Sequence, residues 1–127
     1  MGLVENNKCE YCDELDTLIH RFVECPSVSQ FWISLMSLLA LAFGIALNLT
    51  CKNIILGLYE NPHYAINNCI LQGKYYIHKQ KCNTSPIIFD RFKVILKSHI
   101  LLEKAVLLKN KKEIQFNDRW GTLLNIL

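Results

Sequence analysis

The spacing Cys9-x2-Cys12-x7-His20-x4-Cys25 constrains this chain more than any other feature of its sequence. Two thiols separated by two residues can turn toward one point, and His20 with Cys25 forms a second close pair. Four soft or borderline ligands suit a tetrahedral zinc ion, and a complete set of four leaves no open position for water. The spacing therefore predicts one structural Zn2+ held by Cys9, Cys12, His20 and Cys25, in a CCHC knuckle over residues 1–26. Binding energies of about 10–16 kcal/mol for such sites would order an acidic segment with little core of its own. Two other readings of these residues stay open. A Cys-x-x-Cys pair also serves redox chemistry, although no βαβ pattern follows it here, and reduced core cysteines can fall into the spacing by chance. Cys51, Cys69 and Cys82 have no paired spacing and read as small buried hydrophobes.

The expected compartment weighs on that choice. The opening Met-Gly-Leu-Val-Glu-Asn has no basic segment leading into an apolar run, so no secretory signal is expected. Position 6 is not Ser or Thr, so the myristoylation pattern fails as well. The expectation is an intracellular protein, nuclear or cytoplasmic, whose thiols stay reduced. Metal ligation then becomes the favoured use of well-spaced cysteines, and the sequons at Asn48 and Asn83 carry no meaning.

A net charge of +3 conceals an uneven distribution. Residues 1–50 carry two basic against six acidic side chains, a net of −4, whereas residues 51–127 carry twelve against five, a net of +7. Such asymmetry points to an anionic partner for the second part, with an ordinary solvated lysine face as the plainer alternative.

Between Pro26 and Cys51 there is neither a charged residue nor a histidine, and 15 of the 19 residues in Phe31–Leu49 are apolar. By length and hydropathy this stretch passes as a membrane span. Its small and polar residues do not scatter, however. Ser27, Gln30, Ser34, Ser37, Gly44 and Asn48 recur at helical spacing, with Leu41 the one large apolar member of the stripe. A helix packed in a protein core has such a stripe; lipid asks for none. A core helix is the favoured reading, and a small membrane-anchored protein the minor one.

The remaining periodicity predicts a mainly α chain: the knuckle, then a bundle-like helical domain of about four helices over residues 27–127. The apolar helix covers about 27–47. Two basic helices cover about 62–81 and 86–111, and a short last helix about 116–125. Asp16 reads as the N-cap of a short helix through Leu18, Ile19, Phe22 and Val23. Residues 49–59 read as a loop or short extended piece. Pro62 suits the first position of the next helix, with Ile66, Ile70, Gly73 and Ile77 on its apolar face. Asn83 to Pro86 reads as the cap of the following helix, with Ile88, Phe92, Ile95, Leu102 and Val106 inward.

Lys74, Tyr75, Tyr76, His78, Lys79 and Lys81 lie within two helical turns. Lysines pair with phosphates through counterion release, and exposed tyrosines stack on unpaired bases. Tyr75 and Tyr76 project about 100° apart, so at most one of them faces a groove. Lys93, Lys97, Lys104 and Lys111 fall within about 40° of one another on a 3.6-residue wheel. Together these ten residues form a candidate sequence-tolerant RNA- or DNA-binding surface.

With the knuckle in place, a wider pattern emerges. Cys9-Glu-Tyr-Cys12, then Leu-Ile-His20-Arg-Phe-Val-Glu-Cys25-Pro, then Phe31-Trp32, resembles the zinc-binding segment that follows the polymerase in LINE-type (non-LTR) retrotransposon reverse transcriptases. Ile54-Ile-Leu-Gly57-Leu and the block from Ile70 to Lys81 resemble the region after that segment, and Phe116 to Trp120 the family's closing Trp-containing stretch. The resemblance spans nearly the whole chain. Enzymes of that family carry an endonuclease and a polymerase with an aspartate pair in a Tyr/Phe-x-Asp-Asp turn. The nearest string here is Tyr11-Cys-Asp13-Glu14, whose thiol is assigned to metal. No Gly-rich phosphate loop or Ser-His-Asp arrangement with supporting context is present. The resemblance thus implies a non-catalytic tail that binds element RNA or target DNA. The alternative is a protein-interaction module whose apolar helix docks on a reverse transcriptase core.

Overall fold

The computed structural model describes residues 8, 9, 11, 12, 14, 15, 17–59 and 63–127. The expected caps at Asp16 and Pro62 lie outside the described residues. The architecture is mainly α, with the Cys/His segment ahead of the helices and no strand among the described residues. A π-helical turn, His20–Glu24, leads into α1 (Pro26–Phe43), α2 (Cys51–Leu56), α3 (Tyr64–Cys82), α4 (Phe89–Lys109) and α5 (Glu113–Ile126). The four long helices are those that the periodicity predicts.

Their ends follow local chemistry. Pro26 opens α1, and Gly44 closes it at φ 63°, its N–H bonded to the Ala40 carbonyl. A left-handed residue stops a helix, so α1 ends earlier than the expected position near 47. The expected loop at 49–59 instead contains α2. Thr50 and Asn53 form a reciprocal capping box at its start, and Asn at the third position is a weaker signature than the usual Glu or Gln. Asn83 to Ser85 do not cap α4; their N–H groups close the end of α3 on Lys79, Lys81 and Gln80. The N-cap of α4 is Ile88, whose N–H and carbonyl both bond the Tyr76 hydroxyl at 3.1 Å.

One buried cluster joins all five helices and includes Cys9 and Cys25. At its centre Phe31 meets Trp32, Tyr76, Phe89 and Phe92 with ring centroids 4.9–5.9 Å apart. Gly73 permits that approach: a Cβ there would sit 3.1 Å from the Phe31 ring and 3.2 Å from Trp32. The α1 face formed by Val28, Phe31, Trp32, Leu35, Leu39 and Ala42 turns into this core. By length and composition α1 could cross a membrane. Its exposed side follows the small-polar stripe, Leu41 included, with Ile33 added.

On α4 the inward face differs from the expected one. Phe92, Leu96, Ile100 and Leu107 are buried, while Ile95, Leu102 and Val106 are exposed. Apolar residues occupy adjacent faces of this helix, so periodicity admits both. Docking of α5 selects one: the Trp120 indole donates to Glu103, Tyr64 donates to the same carboxylate at 2.6 Å, and Arg119 pairs with it at 3.5 Å. Arg119 also lies 4.0 Å over the Tyr64 ring. Donation to Glu103 raises the Tyr64 hydroxyl above its ordinary pKa, with burial adding to the shift.

Candidate metal centre

An antiparallel bridge joins Lys8 to Leu15, and the Cys9 N–H bonds the Glu14 carbonyl at 2.7 Å, bringing the chain on either side of Tyr11 and Cys12 together. Cys9 and Cys12 lie between these two ends. The Thr17 hydroxyl then accepts from the His20 N–H at 3.1 Å, starting the turn that brings His20 inward. In an α-helix residues five apart point about 140° from one another. Here the Cys25 N–H bonds the His20 carbonyl at 2.9 Å, the i→i+5 bond of a π-turn. That wider turn stacks residues five apart, so His20 and Cys25 reach the same point. Single π-turns commonly sit at functional sites for this kind of reason. Cys25 is also the N-cap residue of α1.

The result is a compact set of four ligand atoms, all within 4.8 Å of one another. The Cys9 and Cys25 sulfurs are 3.7 Å apart, those of Cys12 and Cys25 3.9 Å, and Cys12 Sγ is 3.2 Å from His20 Nε2. Cys9, His20 and Cys25 are buried and Cys12 is half-buried. All six cysteines of the chain are free thiols. This group can hold a metal ion.

Its electrostatics favour a cation. Burial opposes ionisation of Cys25, but the backbone N–H and hydroxyl of Ser27, at the start of α1, outweigh it, and the thiol lies below its ordinary value. Cys12 shifts upward: the backbone at Glu14 lowers it, yet desolvation and the neighbouring Cys25 and Cys9 together raise it. Three thiolates so close repel one another. A bound divalent cation removes that conflict and deprotonates its thiol ligands.

A ring of contacts ties this centre to α3. The Tyr11 hydroxyl bonds the Gln80 carbonyl at 3.0 Å and the Ser85 carbonyl. The Lys81 ammonium lies 3.6 Å from Cys9 Sγ and 5.5 Å over the Tyr11 ring. Arg21 donates to Cys82 Sγ at 3.5 Å, and the Trp32 indole to the Phe22 carbonyl at 2.5 Å. Sequence reasoning missed the roles of Tyr11 and Lys81. A signal existed for the second, because Lys81 extends the buried row Ile66, Ile70, Gly73 and Ile77 by one more four-residue step.

The ten candidate nucleic-acid residues do not form one surface. Tyr76 is buried against Phe31 and Phe92, with its hydroxyl engaged at Ile88, and Lys81 is 7% exposed beside Cys9. Both leave the candidate surface, since a base or phosphate cannot reach them. Lys74 spans to α2, donating to the Ile55 carbonyl at 2.8 Å, and burial lowers its pKa. Lys104 lies 5.7 Å over the Phe116 ring. Tyr75, His78, Lys79, Lys97 and Lys111 are exposed, and Lys93 is half-buried. Of the other cysteines, Cys69 is buried and its pKa is pushed up to about 12 by desolvation. Cys51 and Cys82 are exposed, contrary to expectation, because each occupies an end of a helix facing solvent.

No protein-family model, curated protein or solved structure matches this chain.

Proposed function

We propose that the chain is a non-catalytic, zinc-stabilised helical module that binds RNA or DNA, similar in role to the segment C-terminal to the polymerase of LINE-type reverse transcriptases. The single observation that carries the metal part is the closed Cys9, Cys12, His20, Cys25 cluster. Zinc–sulfur bonds of about 2.3 Å imply sulfur–sulfur edges of about 3.8 Å in a tetrahedron. The observed edges of 3.7 and 3.9 Å agree with that size. Three thiolates and one imidazole are a donor set typical of structural zinc, and they leave no ligand position for a substrate.

The nucleic-acid part rests on what the α3–α4 hairpin leaves exposed. Tyr75 offers an aromatic face, with His78 and Lys79 on the same helix, Lys97 on the next and Lys111 in the turn that follows it. Lysines of this kind contribute salt-dependent, sequence-tolerant affinity. The test is filter binding of zinc-loaded protein to single-stranded RNA and DNA at graded salt. Micromolar binding that weakens with salt, and weakens uniformly in Lys79→Glu and Lys97→Glu, is the expected result. Absence of binding at low salt by folded, zinc-loaded protein refutes the reading.

A second reading has its own observation. Leu71 on α3 and Ile95, Leu102 and Val106 on α4 are all large, apolar and exposed. A protein-docking role therefore uses α3 and α4, not α1, whose apolar side is committed to the core. Under this reading sedimentation detects self-association of the isolated chain that Leu102→Lys reduces. A monodisperse monomer counts against it.

A further inference from the structure

Lysine is almost never buried unless its charge is matched. Lys81 is 7% exposed and pairs with no carboxylate among the described residues. Its ammonium lies 3.6 Å from Cys9 Sγ and over the Tyr11 ring. A cysteine sulfur of the candidate metal centre is thus its polar partner. Neutral thiols are weak acceptors and do not match a buried cation. Thiolates do.

The charges close in one way. Three thiolates and a neutral imidazole around a divalent ion leave a net charge of −1, and Lys81 brings the total to zero. We infer that Lys81 is the fixed counter-charge of the metal centre, a positioning residue that stabilises the three-thiolate state and secures the site to α3. The inference rests on the zinc reading above and goes beyond it by assigning a residue 56 positions from the last ligand, Cys25, to the same site. It also accounts for an otherwise costly feature, since an ammonium continues an apolar helix face where leucine would pack. Outer-shell partners of this kind typically carry about 10–100-fold in metal affinity.

The experiment compares zinc affinity of the full chain, by chelator competition, for wild type, Lys81→Met and Lys81→Arg, with helix content of each metal-free chain recorded alongside. The wild type is expected to hold one equivalent. Lys81→Met, which keeps the length and loses the charge, is expected to bind about 10–100-fold more weakly. Lys81→Arg, which keeps the charge, is expected to recover most of that loss. Should the Met variant not fold, Lys81→Gln takes its place with the same expected loss. Affinity unchanged in the neutral variant overturns the inference, as does an equal loss in Arg and Met, which would mean that shape and not charge matters. A wild-type chain that holds no zinc refutes the zinc reading itself, and the inference falls with it. The two failures are separated by the wild-type stoichiometry.

Discussion

The two ends of α3 each bring a charged group inward, and they resolve it differently. At the N-terminal end Tyr64 meets the Glu103 carboxylate, which also receives the Trp120 indole and the Arg119 guanidinium. Every partner there is a side chain of the protein, and the charges balance without help. At the C-terminal end Lys81 faces the Cys9 sulfur, which balances it only when ionised. The first site is finished by folding. Under the proposed zinc reading a cation finishes the second, so the Cys/His end of the molecule is expected to depend on metal and the aromatic body is not.

The largest effect should come from taking the metal away. Chelation, or Cys25→Ser, removes binding energy of about 10–16 kcal/mol. Circular dichroism and hydrogen exchange should show residues 8–25 losing order while residues 64–109 stay helical. Equal loss across the whole chain would break the comparison, since the body would then depend on the metal too. Next comes Glu103→Ala, which leaves the Trp120 N–H without its acceptor in a fully buried setting. An unsatisfied buried group costs about 1–3 kcal/mol, measurable by urea denaturation, and zinc affinity should not change. Gly73→Ala is smaller. Helix propensity favours alanine by about 1 kcal/mol, but overpacking costs about 1–3 kcal/mol. The Phe31 ring is hemmed in by four other aromatics and cannot yield, so a net loss of about 1 kcal/mol is expected in thermal melts.

The smallest test is pH, where the two ends should respond at opposite extremes. Protons compete with metal for thiolates and imidazole, so the centre loosens as pH falls below neutrality. Tyr64 has a raised pKa in the fold, so its contribution is complete below its unfolded value near 10 and disappears as pH rises through the folded value. Metal release followed at acid pH and tyrosinate absorbance at alkaline pH separate the two. Loss of the Tyr64 contact in acid would contradict the assignment.

The ligand set was legible because its spacing is local, and spacing is what a linear pattern carries. The π-turn that aligns His20 with Cys25 was not, because an ordinary helix would have separated them and no residue type announces the i→i+5 bond. Four long helices were legible from their apolar period. The short α2 was missed because its capping box uses Asn53, a side chain equally at home in a turn. Two of the ten surface residues, Tyr76 and Lys81, were misplaced for one reason: helical phase says which side chains share a face, but not whether another element covers it. Tyr76 and Lys81 share the buried side of α3, and only the knuckle and α4 determine that.

By itself, then, the sequence determined the helical class, the four members of the Cys/His cluster and the polar stripe that marks the outer side of α1. Each depends on residues within a few positions of one another, where the backbone's own geometry sets the outcome. Tertiary structure alone decided which apolar face of α4 turns inward, which lysines remain exposed, and that Lys81 is buried beside Cys9. Those depend on contacts between segments tens of residues apart, such as Glu103 with Trp120 and Cys9 with Lys81. Burial and charge pairing are settled by what arrives from elsewhere in the chain.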